Sequence, residues 1–145
     1  MYKFYNPNPK KQCVGDCTVR AISAALDEDW STAYLDLCAI GMEMCDMPSA
    51  NAVWGELLQR RGFTRRLANQ NTIDDFAKMH RNGVYVVAAS GHVVTVKDGC
   101  IYDTWDSGVV VSNCSDTLTN STLRFCNSSQ TFAKSNKFRL ILSNL

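Results

Sequence analysis

The sequence is short of net charge, of histidine and proline, and of long apolar runs. Fifteen Lys and Arg against fourteen Asp and Glu leave a formal charge of +1. With both signs interspersed, the chain has neither the footprint of a nucleic-acid-binding domain nor an acidic tail. The one basic concentration, Arg60, Arg61, Arg65 and Arg66, reads as a solvated helix end and adjoining strand rather than a phosphate site. No stretch stays apolar for the about 20 residues that a membrane span needs. Met1 to Pro7 lacks the apolar core of an export signal. The expectation is a cytoplasmic location, with no membrane and no nucleic-acid partner. With 145 residues, the chain can bury one proper core, so a single domain over 1–145 is expected.

A second short-spaced Cys or His pair is also missing. Cys13 and Cys17 are separated by three residues, but nothing similar completes a tetrahedral site, so no metal and no cofactor are expected. Seven cysteines, at 13, 17, 38, 45, 100, 114 and 126, would leave one over in any complete disulfide framework. Without an export signal, reduced thiols are expected. Cys38 falls within an apolar helical pattern and reads as a small hydrophobe.

Cys17 has a different setting. Gly15-Asp16 forms a loop that runs into Thr18-Val19-Arg20-Ala21-Ile22-Ser23-Ala24-Ala25-Leu26. With Asp16 as the expected N-cap, Cys17 takes the first helical position, where the helix dipole and the free N–H groups favour a thiolate. Val19, Ile22 and Leu26 recur at helical spacing, while Ala21, Ala24 and Ala25 keep another side slim enough for a close neighbour.

Around this helix the chain reads in order. Residues 1–16 hold two of the three prolines, with Asn6, Asn8 and Gly15, and are expected to form an extended arm without regular structure. Asp27-Glu28-Asp29 breaks the helical pattern, and a second helix is predicted from Trp30 to Met44, with Ala33, Leu37, Ile40 and Met44 on one stripe. Pro48-Ser49 is expected to start a third helix, with Val53, Trp54, Leu57 and Leu58 inward and Gly62 closing it. Phe63 to Leu67 is a short predicted strand. Thr72 and Asp75 mark a capped start for a helix from Ile73 to His80, whose histidine suits the helix C-terminus.

From Val84 the period changes from helical to alternating. Val84 to Ala89 and His92 to Lys97 are predicted strands around a Ser90-Gly91 turn, and Asp98-Gly99 is a strong signal for the next hairpin. That turn implies pairs Lys97 with Cys100, Val96 with Ile101, Val94 with Asp103 and His92 with Trp105. His92 and Asp103 are then diagonal neighbours on one face, close enough for a carboxylate to meet an imidazole N–H, with Trp105 covering them. Asp106 points to the other face unless a bulge shifts the strand.

A cysteine at a helix start, then a histidine on a strand, then an aspartate on the next strand supply a nucleophile, a base and an orienting group. Gly15-Asp16-Cys17, Ser90-Gly91-His92-Val93-Val94 and Tyr102-Asp103-Thr104-Trp105 together resemble the papain-like cysteine peptidase superfamily over about residues 6–112. The His strand followed by Tyr-Asp is similar to bacteriocin-processing peptidase domains and to small bacterial and phage peptidase-like proteins. The resemblance implies an α+β fold, with a helical part over about 17–81 packed on an antiparallel sheet over about 84–145. It also implies a Cys17, His92, Asp103 triad shielded by Trp105 and acting on a peptide or protein substrate. In that family a glutamine ahead of the cysteine commonly helps hold the oxyanion. Lys11 takes the matching position here and Gln12 follows it, so Gln12 is the candidate donor and Asn8 the alternative.

Hydrolysis of an amide through an acyl-enzyme is the expected chemistry. The same three residues would serve an acyltransferase or transglutaminase-like enzyme. A catalytically silent binding or inhibitor protein of a mobile element would retain the fold alone. Beyond Ser112 the resemblance ends, and Leu123 to Phe125 and Phe138 to Leu142 are expected to extend the sheet.

Overall fold

The computed structural model describes residues 1–66, 68, 70–110 and, as backbone, 116–120. It is an α+β arrangement. In chain order it runs β1 (Tyr2–Phe4), α1 (Cys17–Leu26), α2 (Trp30–Met44), α3 (Asn51–Arg60), β2 (Thr64–Arg66), α4 (Ile73–Met79), β3 (Val84–Ala89), β4 (His92–Lys97), β5 (Cys100–Asp103), a single 3-10 turn at Ser107–Val109, and β6 (Asp116–Asn120).

The strands form one six-stranded sheet in the order β1-β5-β4-β3-β6-β2. All neighbouring pairs are antiparallel except β1 with β5, which is parallel. The division into a helical first part and a sheet-forming second part is therefore incomplete, because β1 and β2 come from the first part and complete the two edges. The extended arm expected over residues 1–16 contains this β1 strand. Its N–H and C=O groups find partners on the open edge of β5, which a loop in solvent would not supply. The Ile101 N–H donates to the Met1 carbonyl at 2.8 Å, and the Tyr5 N–H to the Asp103 carbonyl at 2.7 Å.

Helices cover both faces of the sheet. On one side Val86, Ala88 and Val93 pack with Ile22, Leu37, Val53, Trp54 and Leu58 of α1, α2 and α3. On the other, Val87, Ala89, Val94, Val96 and Ile101 pack with Ile73, Phe76 and Ala77 of α4. The alternation along β3 and β4 thus feeds two cores, as two buried sheet faces require. Every residue of α1 from Thr18 to Ala25 is buried. Its alanines bring the helix backbone so near β4 that the Thr95 hydroxyl donates to the Ala21 carbonyl at 2.6 Å.

Helix boundaries follow local chemistry. Asp27, in the left-handed region, closes α1, and the Asp29 carboxylate opens α2 by accepting from the Ser31 and Thr32 N–H groups at 2.9 and 3.1 Å. The α2 stripe buries Ala33, Leu37 and Ile40, whereas Met44 at its end is exposed. Helix α3 begins at Asn51 rather than at Pro48, because the Ala50 N–H closes a turn onto the Met47 carbonyl at 2.8 Å before the helix can start. His80 ends α4, stacked 3.9 Å from Phe76 and donating through Nδ1 to the Phe76 carbonyl at 2.9 Å, which is a packing and capping role. The basic group at 60–61 is spent on surface ion pairs: Arg60 with Glu43 and Glu56, Arg61 with Glu28 and Asp36. The strands expected at 123–125 and 138–142 lie outside the described residues.

The hairpin register runs as the Asp98-Gly99 turn dictates through Lys97 with Cys100, Val96 with Ile101 and Thr95 with Tyr102. There the ladder stops, so the expected Val94–Asp103 and His92–Trp105 pairs do not form. The Asp103 carboxylate accepts from the Thr104 N–H at 2.7 Å and the chain bends away from β4. Asp106 then caps the 3-10 turn by accepting from the Gly108 N–H at 3.1 Å, which removes it as a rival for His92.

The turn itself offers a test. Asp98 and Gly99 both have positive φ, at 51° and 74°, and a Cβ on Gly99 would stand 3.1 Å from the Ala77 carbonyl oxygen. Gly99→Ala therefore meets both backbone strain and a tight backbone contact and should destabilise the fold by more than about 1 kcal/mol, read by chemical denaturation. An unchanged midpoint would contradict this turn geometry.

Candidate active site

Cys17, His92 and Asp103 come together at one end of the sheet, where α1 begins, β4 begins and β5 ends. Each is placed by a local feature. Cys17 is the first residue of α1. His92 follows the two-residue Ser90-Gly91 turn, in which Gly91 adopts φ 68°, and it pairs across that turn with Ala89. Asp103 is the last residue of β5, fixed on its far side by the arm through Tyr5.

The imidazole Nε2 of His92 lies 2.6 Å from Asp103 Oδ2. Because a carboxylate only accepts, Nε2 carries the proton in that contact and Nδ1 is left to the Cys17 thiol, with which the ring also interacts. Both histidine and aspartate are largely withdrawn from water, their side chains being 12% and 2% exposed. The Trp105 ring sits 5.3 Å from the imidazole, centroid to centroid, at a tilt of 46°. It covers one side of the pair although the residue itself is 46% exposed and stands outside any strand.

The electrostatics favour separated charge. Burial pushes the Cys17 thiol up. Its hydrogen bonds to His92 and to the backbone at Val93, with the positive charges of His92 and Arg20, outweigh that and leave it below its ordinary value. Burial likewise works against a charged His92, but its bonds and charge interactions with Asp103 and Cys17 raise it from 6.5 to about 9. Burial would also raise Asp103, yet the His92 bond and charge hold it low. These directions favour a thiolate beside an imidazolium, with a carboxylate behind it.

A cleft of about 510 Å³ opens over Cys17 and His92, walled by Thr18, the Ser90-Gly91 turn, Ser49 from the turn before α3, and Asn51 at the start of α3. The expected oxyanion residues lie elsewhere. Gln12 is exposed, and its backbone carbonyl accepts from the Asn6 amide at 3.3 Å. Asn8 is buried, with its amide directed to Asp16 at 3.4 Å. Neither borders the cleft.

Asp16 precedes the helix but does not cap it with its side chain. Its carboxylate is taken up by three buried or half-buried donors: Arg20, the Trp30 indole at 2.8 Å and Asn8. Arg20 is a charged neighbour of this group that was not among the expected site residues. Its Nη1 bonds Asp16 and its Nη2 bonds Asp103 at 3.2 Å. A signal was present: an arginine in the middle of an apolar helical run, four residues after an aspartate. Asn51 and Ser49 left no such signal, since only the packing of α3 brings them to the cleft.

Cys13, Cys38, Cys45 and Cys100 are, like Cys17, free thiols; Cys114 and Cys126 fall outside the described residues. Among the described residues no group of three or more His, Cys, Asp or Glu side chains is arranged to hold a metal ion, and no helix is long and apolar enough to cross a membrane. No family model, curated protein or solved structure matches the chain.

The charge state of His92 makes a measurable statement. Its folded-state value is raised, so its contribution to stability is fully present below about pH 6.5 and is lost as pH rises through about 9. Imidazole titration followed by NMR should find His92 still protonated at pH 8. Asp103→Asn should lower that titration, because the amide no longer stabilises the cation. A His92 that titrates near 6.5 in the unmodified protein would contradict the arrangement.

Proposed function

We propose that this chain is a cysteine-dependent hydrolase of papain-like architecture that cleaves an amide bond in a peptide or protein through an acyl-enzyme. The reading rests on one observation above the others. A thiol at a helix N-terminus shares an open cleft with a histidine whose Nε2 is held 2.6 Å from a buried carboxylate. The α+β arrangement, with a helix carrying the cysteine against a sheet carrying histidine and then aspartate, is the order of parts that the papain-like resemblance implies.

The steps follow from the groups present. The Cys17 sulfur attacks the acyl carbon, forming a C–S bond as the carbonyl electrons move to oxygen. The His92 proton passes to the leaving amine as the C–N bond breaks, leaving a thioester. Water then attacks the thioester while His92 accepts its proton, and the thiolate leaves with the imidazolium re-formed beside it. Asp103 keeps the imidazole in the tautomer and orientation that both proton transfers need. The Cys17 N–H, at the start of α1 where intrahelical acceptors are lacking, is one donor for the oxyanion. Asn51 is the amide side chain at the cleft. Its Oδ1 accepts from the Trp54 indole at 3.0 Å, and its Nδ2 donors have no partner among the described residues.

A thiol-directed peptidyl epoxide tests the reading. Cys17 should be modified well ahead of exposed Cys13 and Cys45, and His92→Ala should slow that modification by about a hundredfold or more. Incubation with mixed peptides and with peptidoglycan fragments should leave a thioester on Cys17, found by intact mass and released by water. Equal reactivity of Cys17 and Cys45, together with an indifferent His92→Ala variant, would leave no enzyme to explain. Transfer of the acyl group to an added amine in place of water would redirect the reading to an acyltransferase.

A further inference from the structure

Arg20 is nearly wholly buried, with 5% of its surface exposed, on a helix whose residues from Thr18 to Ala25 are all buried and otherwise uncharged. A charged side chain in such a place is destabilising unless it is paired, and here its two Nη groups are paired with two carboxylates that belong to different parts of the molecule. Nη1 bonds Asp16, which immediately precedes Cys17, and also reaches the Val14 carbonyl at 3.3 Å. Nη2 bonds Asp103 Oδ1 at 3.2 Å, the oxygen that His92 does not use. Nε is buried with no partner among the described residues, so the fork is oriented by its two carboxylates rather than by its stem.

From this geometry we propose that Arg20 is a positioning residue for the thiol–imidazole pair, clamping Asp103 in the orientation that directs its second oxygen at His92 and tying that carboxylate to the loop that carries Cys17. The inference rests on the Cys17, His92, Asp103 reading and extends it by one residue from the helix itself. The Asp103 carboxylate is held by the Thr104 N–H at 2.7 Å and the guanidinium on Oδ1 and by the imidazole on Oδ2, with the Ser107 side chain also acting on it. The Thr104 bond is local and turns with the chain. Only the guanidinium relates the carboxylate to α1. The charged and titratable groups around it are Asp16 from the loop before α1, Cys17 on α1, His92 on β4 and Asp103 on β5, and the field of Asp103 also reaches Tyr2 on β1.

Lysine keeps the positive charge but lacks the fork, so it cannot hold both carboxylates in fixed geometry. The experiment follows alkylation of Cys17 by iodoacetamide against pH, with the site read by peptide mass, in wild type, Arg20→Lys, Arg20→Gln and His92→Ala. In wild type the reactive limb should lie below that of an ordinary thiol. In Arg20→Lys and Arg20→Gln the reactive limb should move to higher pH, with the rate at pH 7 falling about tenfold for each unit of displacement. A purely structural arginine would lower the melting temperature and leave the limb where it is, which would overturn the proposal. If His92→Ala moves the limb and neither Arg20 variant does, the Arg20 inference fails while the thiol–imidazole reading stands. If His92→Ala also leaves it unmoved, that reading fails first.

Should the Arg20 variants not fold, NMR of the wild-type guanidinium decides. Resolved, slowly exchanging Nη protons that shift when Cys17 is alkylated support the clamp. Averaged, rapidly exchanging protons overturn it.

Discussion

A buried guanidinium between two carboxylates joins the loop before α1 to the end of β5, and the geometry at the cleft depends on it. Arg20 reaches Asp16 on one side and Asp103 on the other, and Asp103 in turn holds His92. Burying these charges is unfavourable unless every one has a partner, and removing a single member typically costs about 3–5 kcal/mol because the remainder is left uncompensated. Such a network tolerates few alternative arrangements. The Trp30 indole on Asp16 extends it to α2, so the first two helices and the sheet share one set of polar constraints.

The apolar packing serves this network by bringing α1 close. Ala21, Ala24 and Ala25 present little bulk, and the Thr95 hydroxyl can bond directly to the Ala21 carbonyl. With larger residues at those positions the helix would stand farther from β4, and an arginine of fixed length on its surface would no longer span from Asp16 to Asp103. The arm contributes from the opposite edge. Tyr5 holds the Asp103 backbone through its N–H, while its hydroxyl lies 2.9 Å from the Ser23 hydroxyl on α1. Asp103 is thus gripped by backbone from one side and by side chains from the other, and an anion held so firmly is a suitable partner for a cationic imidazole.

Much of the site was legible in the residues because it is built from local signals. A turn-rich loop before an apolar helical run marked Cys17, and the ranges Cys17–Leu26, Trp30–Met44, Val84–Ala89 and His92–Lys97 were readable from periodicity and caps. The Asp98-Gly99 turn sets its hairpin register by its own geometry, which brought Asp103 into the neighbourhood of His92 before any fold was in view. What failed was the extension of that register to Val94–Asp103 and His92–Trp105. A strand's end is decided by the groups competing for its last hydrogen bonds, and here the Asp103 side chain takes the next N–H. The Asp16 cap failed for a similar reason, since a buried arginine and an indole outcompete the helix N–H groups for its carboxylate.

By itself the sequence determined the helices and hairpins, the absence of a membrane-length apolar run, and the residue types able to act as nucleophile, base and orienting acid. These depend on the period of apolar residues and on turn chemistry, which act over a few residues. Only the tertiary structure decided that residues 2–4 close one edge of the sheet, that α4 covers the face opposite the other helices, that Asn51 rather than Gln12 or Asn8 borders the cleft, and that Arg20 reaches Asp103. Each of these is a meeting of segments distant in the chain. Its energy comes from burial and from pairing of charges that no local window contains.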